Sequence, residues 1–153
     1  MVPCLEFSDL NNDLEITGSF THKEYDIATD NDQGLAISTV GDNQNIKALA
    51  FTAPMLHISL PSLTKYVLIE MANYNSRVVS INLLRDGSVV LNKNEIVYNT
   101  TKTLVYQTSE FFNQLTIQVQ GDELYESAYL IRVCITDEEN ERNPLNQRKR
   151  TRE

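Results

Sequence analysis

Residues 78–91 read VVSINLLRDGSVVL, in which apolar and polar residues alternate on the approach to an Asp-Gly pair. Side chains along a β-strand point alternately to its two faces, so this pattern predicts a strand with one buried face. Asp86-Gly87 is a favoured pair for the two-residue type I′ turn of a β-hairpin. The stretch therefore predicts two antiparallel strands, residues 78–84 and 88–91, joined by a tight turn.

The same alternation recurs along most of the chain, in runs rich in β-branched and aromatic residues. The predicted strands are residues 55–60, 65–72, 78–84, 88–91, 103–107, 114–120 and 128–135. The predicted core consists of Leu56, Ile58, Val67, Ile69, Val79, Ile81, Leu115, Ile117, Ile131 and Val133. About ten short strands at roughly ten-residue spacing indicate an all-β fold, an antiparallel β-sandwich or jelly roll.

Three local signals are expected to interrupt the strands. Pro61 should end the strand before it, because proline cannot donate to a strand ladder. Asn92-Lys93-Asn94 reads as a break, and residues 109–113 offer the best window for a single helical turn. The predicted domains are a β-sandwich over residues 1–136 and a polar tail over residues 137–153.

The two ends of the predicted sandwich fit each other in one register. Leu5 and Phe7 would face the core from the first strand, as would Tyr129, Ile131, Val133 and Ile135 from the last. If these strands pair antiparallel with position numbers summing to 138, Cys4 faces Cys134 and Glu6 faces Arg132. The cysteines could form a disulfide in an oxidising compartment or remain packed thiols in the cytoplasm.

Charge is distributed unevenly over the 153 residues, whose formal net charge is -8. Residues 1–32 hold eight acidic residues and one basic residue. This balance argues against nucleic-acid binding, which requires lysine and arginine to neutralise phosphates. No apolar run approaches the ~20 residues of a membrane span. The start of the sequence has no basic region followed by an apolar run, which indicates a cytoplasmic protein or an extracellular one whose signal was removed.

Catalytic motifs are weak, and the sequence does not favour an enzyme. The two histidines, His22 and His57, have no nucleophile motif beside them, and His57 is expected on the outward face of its strand. The cysteine and histidine spacing does not match a zinc site. Two carboxylates could meet in space as in glycoside hydrolases, but nothing selects a pair.

A calcium site is one interpretation of the acidic residues Asp26, Asp30 and Asp32. Carboxylates and turn carbonyls are the hard oxygen ligands that calcium prefers. The stretch Asp30–Gly34 resembles the start of a calcium loop but lacks the distal glutamate of an EF-hand. The alternative is a solvated acidic turn.

A ligand site is predicted in the loop between two strong strands, at Asn73, Tyr74, Asn75 and Arg77. These residues combine an aromatic face, two amides and a guanidinium, which suits a carbohydrate or another polar ligand. The alternative is that Tyr74 only covers the edge of the sheet. The chain has no tryptophan, the residue on which sugars most often stack.

The layout of the chain resembles that of galactose-binding-like β-sandwich modules. The resemblance rests on residues 4–10, 18–20, 51–54, 67–72, 85–87 and 130–135. It implies a module that binds carbohydrates, proteins or membranes or serves as a spacer, often with a structural calcium near the first strands. The sequence thus favours a non-catalytic binding module, with a structural or assembly subunit, including a homo-oligomer, as the alternative.

Overall fold

The computed structural model describes residues 2–11, 14–16, 19–29, 35–40, 46–51, 55–73, 78–97, 100–120 and 128–136. In these ranges the chain forms eleven strands, all paired antiparallel, and no helix, and hence nothing helical that could cross a membrane. The strands are β1 (Leu5–Glu6), β2 (Glu15–Ile16), β3 (Phe20–His22), β4 (Tyr25–Thr29), β5 (Leu35–Val40), β6 (Ile46–Phe51), β7 (Met55–Asn73), β8 (Val78–Arg85), β9 (Ser88–Ile96), β10 (Thr100–Gln120) and β11 (Ala128–Ile135). The all-β sandwich is therefore confirmed, while the predicted tail at residues 137–153 lies outside the described residues.

Two long strands, β7 and β10, belong to both layers of the sandwich. The front sheet has the order β3-β4-β7-β10-β8-β9 and uses residues 55–60 of β7 and 114–120 of β10. The back sheet has the order β2-β5-β6-β11-β7-β10 and uses the other halves of the two long strands. β1 pairs with β11 beside β6, along the same edge of β11.

The predicted interruption at Pro61 was wrong, because β7 continues through it. The pairing with β10 stops at Ser59 and resumes at Thr64, so Pro61 lies where no ladder bond is needed. The predicted helical turn at residues 109–113 was also wrong. That segment belongs to β10, where the register shifts between Gln107 and Gln114 as the strand passes from one sheet to the other.

The predicted core residues are all buried, but one of them packs outside the sandwich interior. A register irregularity in β11 between Leu130 and Arg132 reverses the direction of the preceding side chains. As a result Leu130 joins the main core, while Ile131 packs with Tyr129 in a small separate cluster. The inward direction predicted for Tyr129 and Ile131 was therefore wrong.

The Asp-Gly hairpin is confirmed. Asp86 and Gly87 have φ angles of 50° and 90°, the positive values that a type I′ turn requires at both central positions. The strand that follows continues through Asn92 and Asn94, so the break predicted there was wrong. Both amides are held by hydrogen bonds to side chains of β8, which lets polar residues continue the strand.

The first and last strands pair in the predicted register, with Glu6 opposite Arg132. Cys4 and Cys134 form a disulfide with their Cα atoms 4.4 Å apart. The ion pair implied by the register is not formed. Glu6 binds Lys23 instead, and Arg132 binds Glu70, which stands opposite it on β7.

Side chains of the β3–β4 hairpin hold the N-terminal segment, residues 3–9, against the front sheet. Tyr25 donates a hydrogen bond to the carbonyl oxygen of Pro3, 2.9 Å away, and His22 Nε2 lies 3.0 Å from the carbonyl oxygen of Glu6. Lys23, in the turn, donates to the Glu6 carboxylate at 2.8 Å. Since β1 is bonded to the back sheet, this segment connects the two layers.

Acid should remove the contribution of Glu6 to stability. The hydrogen bond from Lys23, assisted by those from Ser8, lowers the pKa of Glu6 from 4.5 to about 2. A carboxylate with a depressed pKa stabilises the fold above its unfolded pKa, and this stabilisation is lost as pH falls through the folded value. We expect Glu6→Gln to lower the free energy of unfolding at pH 7, and the deficit to shrink between pH 4.5 and about 2.

The measurement is urea denaturation of both proteins across that pH range. Glu110→Gln is the control, because Glu110 is an exposed carboxylate with no ion pair in the described part of the chain. A Glu6→Gln deficit that stays constant down to pH 2 would contradict the assigned role of the Lys23 contact.

Candidate functional site

The outer face of the front sheet carries a groove of about 350 Å³. We call it the front-sheet groove; it runs across β7, β10, β8 and the start of β9. Its lining residues are Met55, His57, Ile58, Ser59, Asn82, Leu84, Gly87, Val89, Gln114, Leu115 and Thr116. A cavity of this volume falls in the range of small-ligand sites.

Strand alternation explains how polar side chains reach a groove whose surface is otherwise mostly apolar. Leu115 and Ile117 on β10 and Leu83 on β8 are fully buried in the core. The intervening residues, such as Asn82 and Thr116, must then point to the outer face. The apolar half of each strand packs into the core, and the polar half lies on the outer face, where Asn82 is half-buried and Thr116 is 8% exposed.

A row of polar side chains crosses four neighbouring strands, with three members lining the groove and the fourth, Asn92, beside it. Asn92 Nδ2 donates to Asn82 Oδ1 at 2.7 Å, and Asn82 Nδ2 donates to Thr116 Oγ1 at 3.2 Å. Thr116 stands opposite His57 in the register of β10 with β7. We call these four residues the polar row.

Hydrogen bonds on either side hold the polar row in place. Ser80 donates to Asn94 Oδ1 at 2.6 Å, next to Asn82 and Asn92. At the turn end of the groove, the Gly87 amide donates to Gln114 Oε1 at 2.8 Å. The groove is thus formed by side chains already positioned by the protein, which lowers the entropy cost of binding.

The groove combines apolar contacts with neutral hydrogen bonding. Its lining holds apolar side chains such as Met55, Leu84 and Val89 beside amides, hydroxyls and one imidazole, and none of the lining residues that the structure describes carries a carboxylate, ammonium or guanidinium group. Asp26 stands beside Ser59 at the margin and accepts a hydrogen bond from Thr21. Such a site can bind an uncharged polyhydroxylated molecule, and the acid at its margin disfavours anions.

The predicted loop site is only partly described. Asn73 ends β7 and is fully buried. Tyr74, Asn75 and Arg77 lie outside the described residues. Val78, the first described residue after this loop, begins β8, whereas Leu84 and Gly87 of the groove lie at and beyond the other end of that strand.

The predicted calcium ligands are also only partly described. Asp26 lies on β4, while Asp30 and Asp32 lie outside the described residues. Across the ranges that the structure describes, no group of three or more acidic, histidine or cysteine side chains could hold a metal ion.

Sequence reasoning missed the front-sheet groove, although part of its signal was visible. His57 was expected on an outward face, and it does line the groove. Asn82 and Thr116 occupy outward positions of strands that were also predicted. Which strands are neighbours was not evident from the sequence, so these residues could not be combined into one site.

Comparison with solved structures supports the fold. No family model matches the sequence, and no curated protein matches it. The chain is similar to the K2 cleaved adhesin domain of Lys-gingipain, with a TM-score of 0.54 and 11% identity, over 81% of this chain and 100% of that one. The likeness shows a shared β-sandwich and agrees with the resemblance to galactose-binding-like modules.

Two further similarities are weaker. One is to a family two carbohydrate esterase from Cellvibrio japonicus, with a TM-score of 0.48 and 10% identity, over 80% of this chain. This chain spans 33% of the length of that esterase. The other is to the CBM36-1 domain of a multidomain xylanase from the hindgut metagenome of Trinervitermes trinervoides, with a TM-score of 0.44 and 10% identity, over 82% of this chain and 98% of that one.

Proposed function

We propose that this chain is a non-catalytic binding module for a neutral carbohydrate, which it binds in the front-sheet groove. The observation that carries the proposal is the polar row from Asn92 to His57. Its amide and hydroxyl groups are fixed by mutual hydrogen bonds, and each retains donors or acceptors for a ligand. None of the described residues that line the groove is charged, which favours an uncharged ligand over an acidic one.

The spacing of the polar row suits a polymeric ligand. Neighbouring strands lie about 4.7–4.9 Å apart, so the polar groups repeat at that interval across four strands. This interval is close to the length of one ring unit in an extended β-linked polysaccharide. A glycan chain lying across the strands could place successive sugars over successive members of the row.

The loop site and calcium remain part of the proposal. The predicted contribution of Tyr74 is an aromatic face for a sugar, supported by its place between β7 and β8. Calcium is predicted to bind near Asp26, Asp30 and Asp32. The Cys4–Cys134 disulfide supports an extracellular location, because disulfides persist in oxidising compartments.

Binding should depend on the polar row. We expect Asn82→Ala and Thr116→Ala each to weaken affinity for a neutral oligosaccharide by about tenfold, since each removes one or two hydrogen bonds worth about 1 kcal/mol. The ligand is first chosen on a glycan array that includes neutral and acidic glycans. Affinity is then measured by isothermal titration calorimetry, with calcium and with a chelator.

Two variants make the result interpretable. Gln107→Ala, an exposed residue of β10 in the back sheet, is the matched control and should bind normally. Tyr74→Ala distinguishes the loop from the groove as the binding site. If this variant alone loses affinity for the oligosaccharide, the ligand binds at the loop. Normal binding by both groove variants, at unchanged melting temperatures, would refute the groove as the site.

A further inference from the structure

The last strand of the front sheet, β9, is an unusually open edge. It is nine residues long and is hydrogen-bonded to β8 along one side, and no other strand in the described part of the chain pairs with it. Its outward apolar side chains are the most exposed in that part, with Ile96 at 71% and Val89 at 58%. Long exposed edges of this kind are places where another strand can add.

The charges of β9 are self-complementary. Lys93 stands opposite Ile81 and Glu95 opposite Val79, both core residues, so the two charged side chains share the inner face of the strand. Two copies of β9 can pair antiparallel with Asn94 of one copy opposite Asn94 of the other. In this register the residue numbers of each facing pair add up to 188. Lys93 of each copy then faces Glu95 of the other, which gives two opposite-charge pairs.

The remaining positions fit the same register. Asn94 faces its own counterpart, and its Oδ1 already accepts from Ser80, which leaves the amide NH2 for the other copy. Asn92 faces Ile96, and both belong to the outer face. The ladder with β8 is regular from Asn92 to Ile96, so no bulge disturbs this stretch. A lysine on an edge usually keeps other strands away, but here the glutamate two residues later supplies its partner.

We propose that two copies of this chain associate through β9, antiparallel about Asn94, to form one continuous front sheet. Directly opposite residues of an antiparallel pair point to the same face, so the two-fold axis stands perpendicular to the sheet. Both front-sheet grooves then lie on the same side of the dimer. A contact between two edge strands buries little area, so the dimer is weak and its population rises with protein concentration.

Charge reversal tests the register directly. Sedimentation equilibrium of the wild type over a wide concentration range should show a reversible monomer–dimer equilibrium. Lys93→Glu and Glu95→Lys each place like charges opposite one another and should each abolish self-association. A mixture of the two variants should dimerise, because one chain then carries acids at both positions and the other carries bases.

Matched variants keep the test decisive. Within its own chain Glu95 also accepts from Tyr106 at 2.6 Å and lies 4.0 Å from the ammonium of Lys102. Glu95→Lys removes both contacts and is therefore checked for an intact melting transition. If it fails to fold, the double variant K93E/E95Q replaces it, because glutamine still accepts from Tyr106 and removes the like charge opposite the glutamate introduced at position 93, and it should recover part of the self-association that Lys93→Glu loses. Glu110→Lys, on the bend of β10, should dimerise like the wild type. A monomeric wild type at every concentration, or an undisturbed dimer of Lys93→Glu, overturns the proposal.

Discussion

Removal of the Cys4–Cys134 disulfide is expected to lower the free energy of unfolding by about 4–5 kcal/mol, the value that the chain-entropy model gives for a very long loop. The bond joins residues 130 positions apart, so it restricts nearly the whole unfolded chain. Domains of this size are commonly stable by only about 5–15 kcal/mol, so the loss is large. The measurement is urea unfolding of the double variant C4S/C134S beside the wild type without reductant.

The reduced wild type is the matched control. It should unfold at nearly the same urea concentration as the double variant, because both lack the cross-link but keep the strands around it. A difference of less than about 1 kcal/mol between oxidised and reduced wild type would show that the bond adds little to the contacts of β1 with β11.

The substitution Ile117→Asp is expected to prevent folding. Ile117 has no exposed surface and stands between Leu56 on β7 and Ile81 on β8, in the middle of the front sheet. The change forfeits about 1.5–3 kcal/mol of apolar burial and places a carboxylate in a site with no partner for it. The combined penalty approaches or exceeds the whole stability of an ordinary domain.

The neighbouring position supplies the control. Gln118 is the next residue of β10 and faces outward opposite Ser80, so Gln118→Asp adds the same charge to the same strand. We expect Gln118→Asp to retain a β-sheet circular dichroism spectrum and a cooperative urea transition, and Ile117→Asp to lose both. A folded Ile117→Asp protein would mean that this strand is not the centre of the sandwich.

The fold could be predicted because its signals are local. Alternating residues such as Val79 and Ile81 mark a buried face. The Asp86-Gly87 pair favours a turn with positive φ angles at both central residues, which is the turn observed. The bends of β7 and β10 could not be predicted, since Pro61 and residues 109–113 ordinarily end a strand. Here the ladder has no pairing at Pro61, and within residues 109–113 only Phe112 pairs, with Thr64, between two register shifts.

The candidate site was harder to predict because its residues come from separate strands. Asn82, Thr116 and His57 are brought together by the strand order of the front sheet. That order depends on long-range packing rather than on any short stretch of sequence. The pairing of β1 with β11 could be predicted because charge, thiol and apolar positions all agreed on one register. The ion pair of Glu6 could not be predicted, since its partner Lys23 lies in a turn of the front sheet.

The strands that pass through both sheets also affect how the molecule can open. In a sandwich made of two separate sheets, one layer can loosen while the other stays intact. Here β7 and β10 carry the central ladder of both layers, so opening either sheet must disturb a strand of the other. Amide hydrogen exchange along the two halves of β7 should therefore report one common opening reaction rather than two independent ones. We therefore expect the domain to open as one cooperative unit, and the groove to keep its shape for as long as the whole domain remains folded.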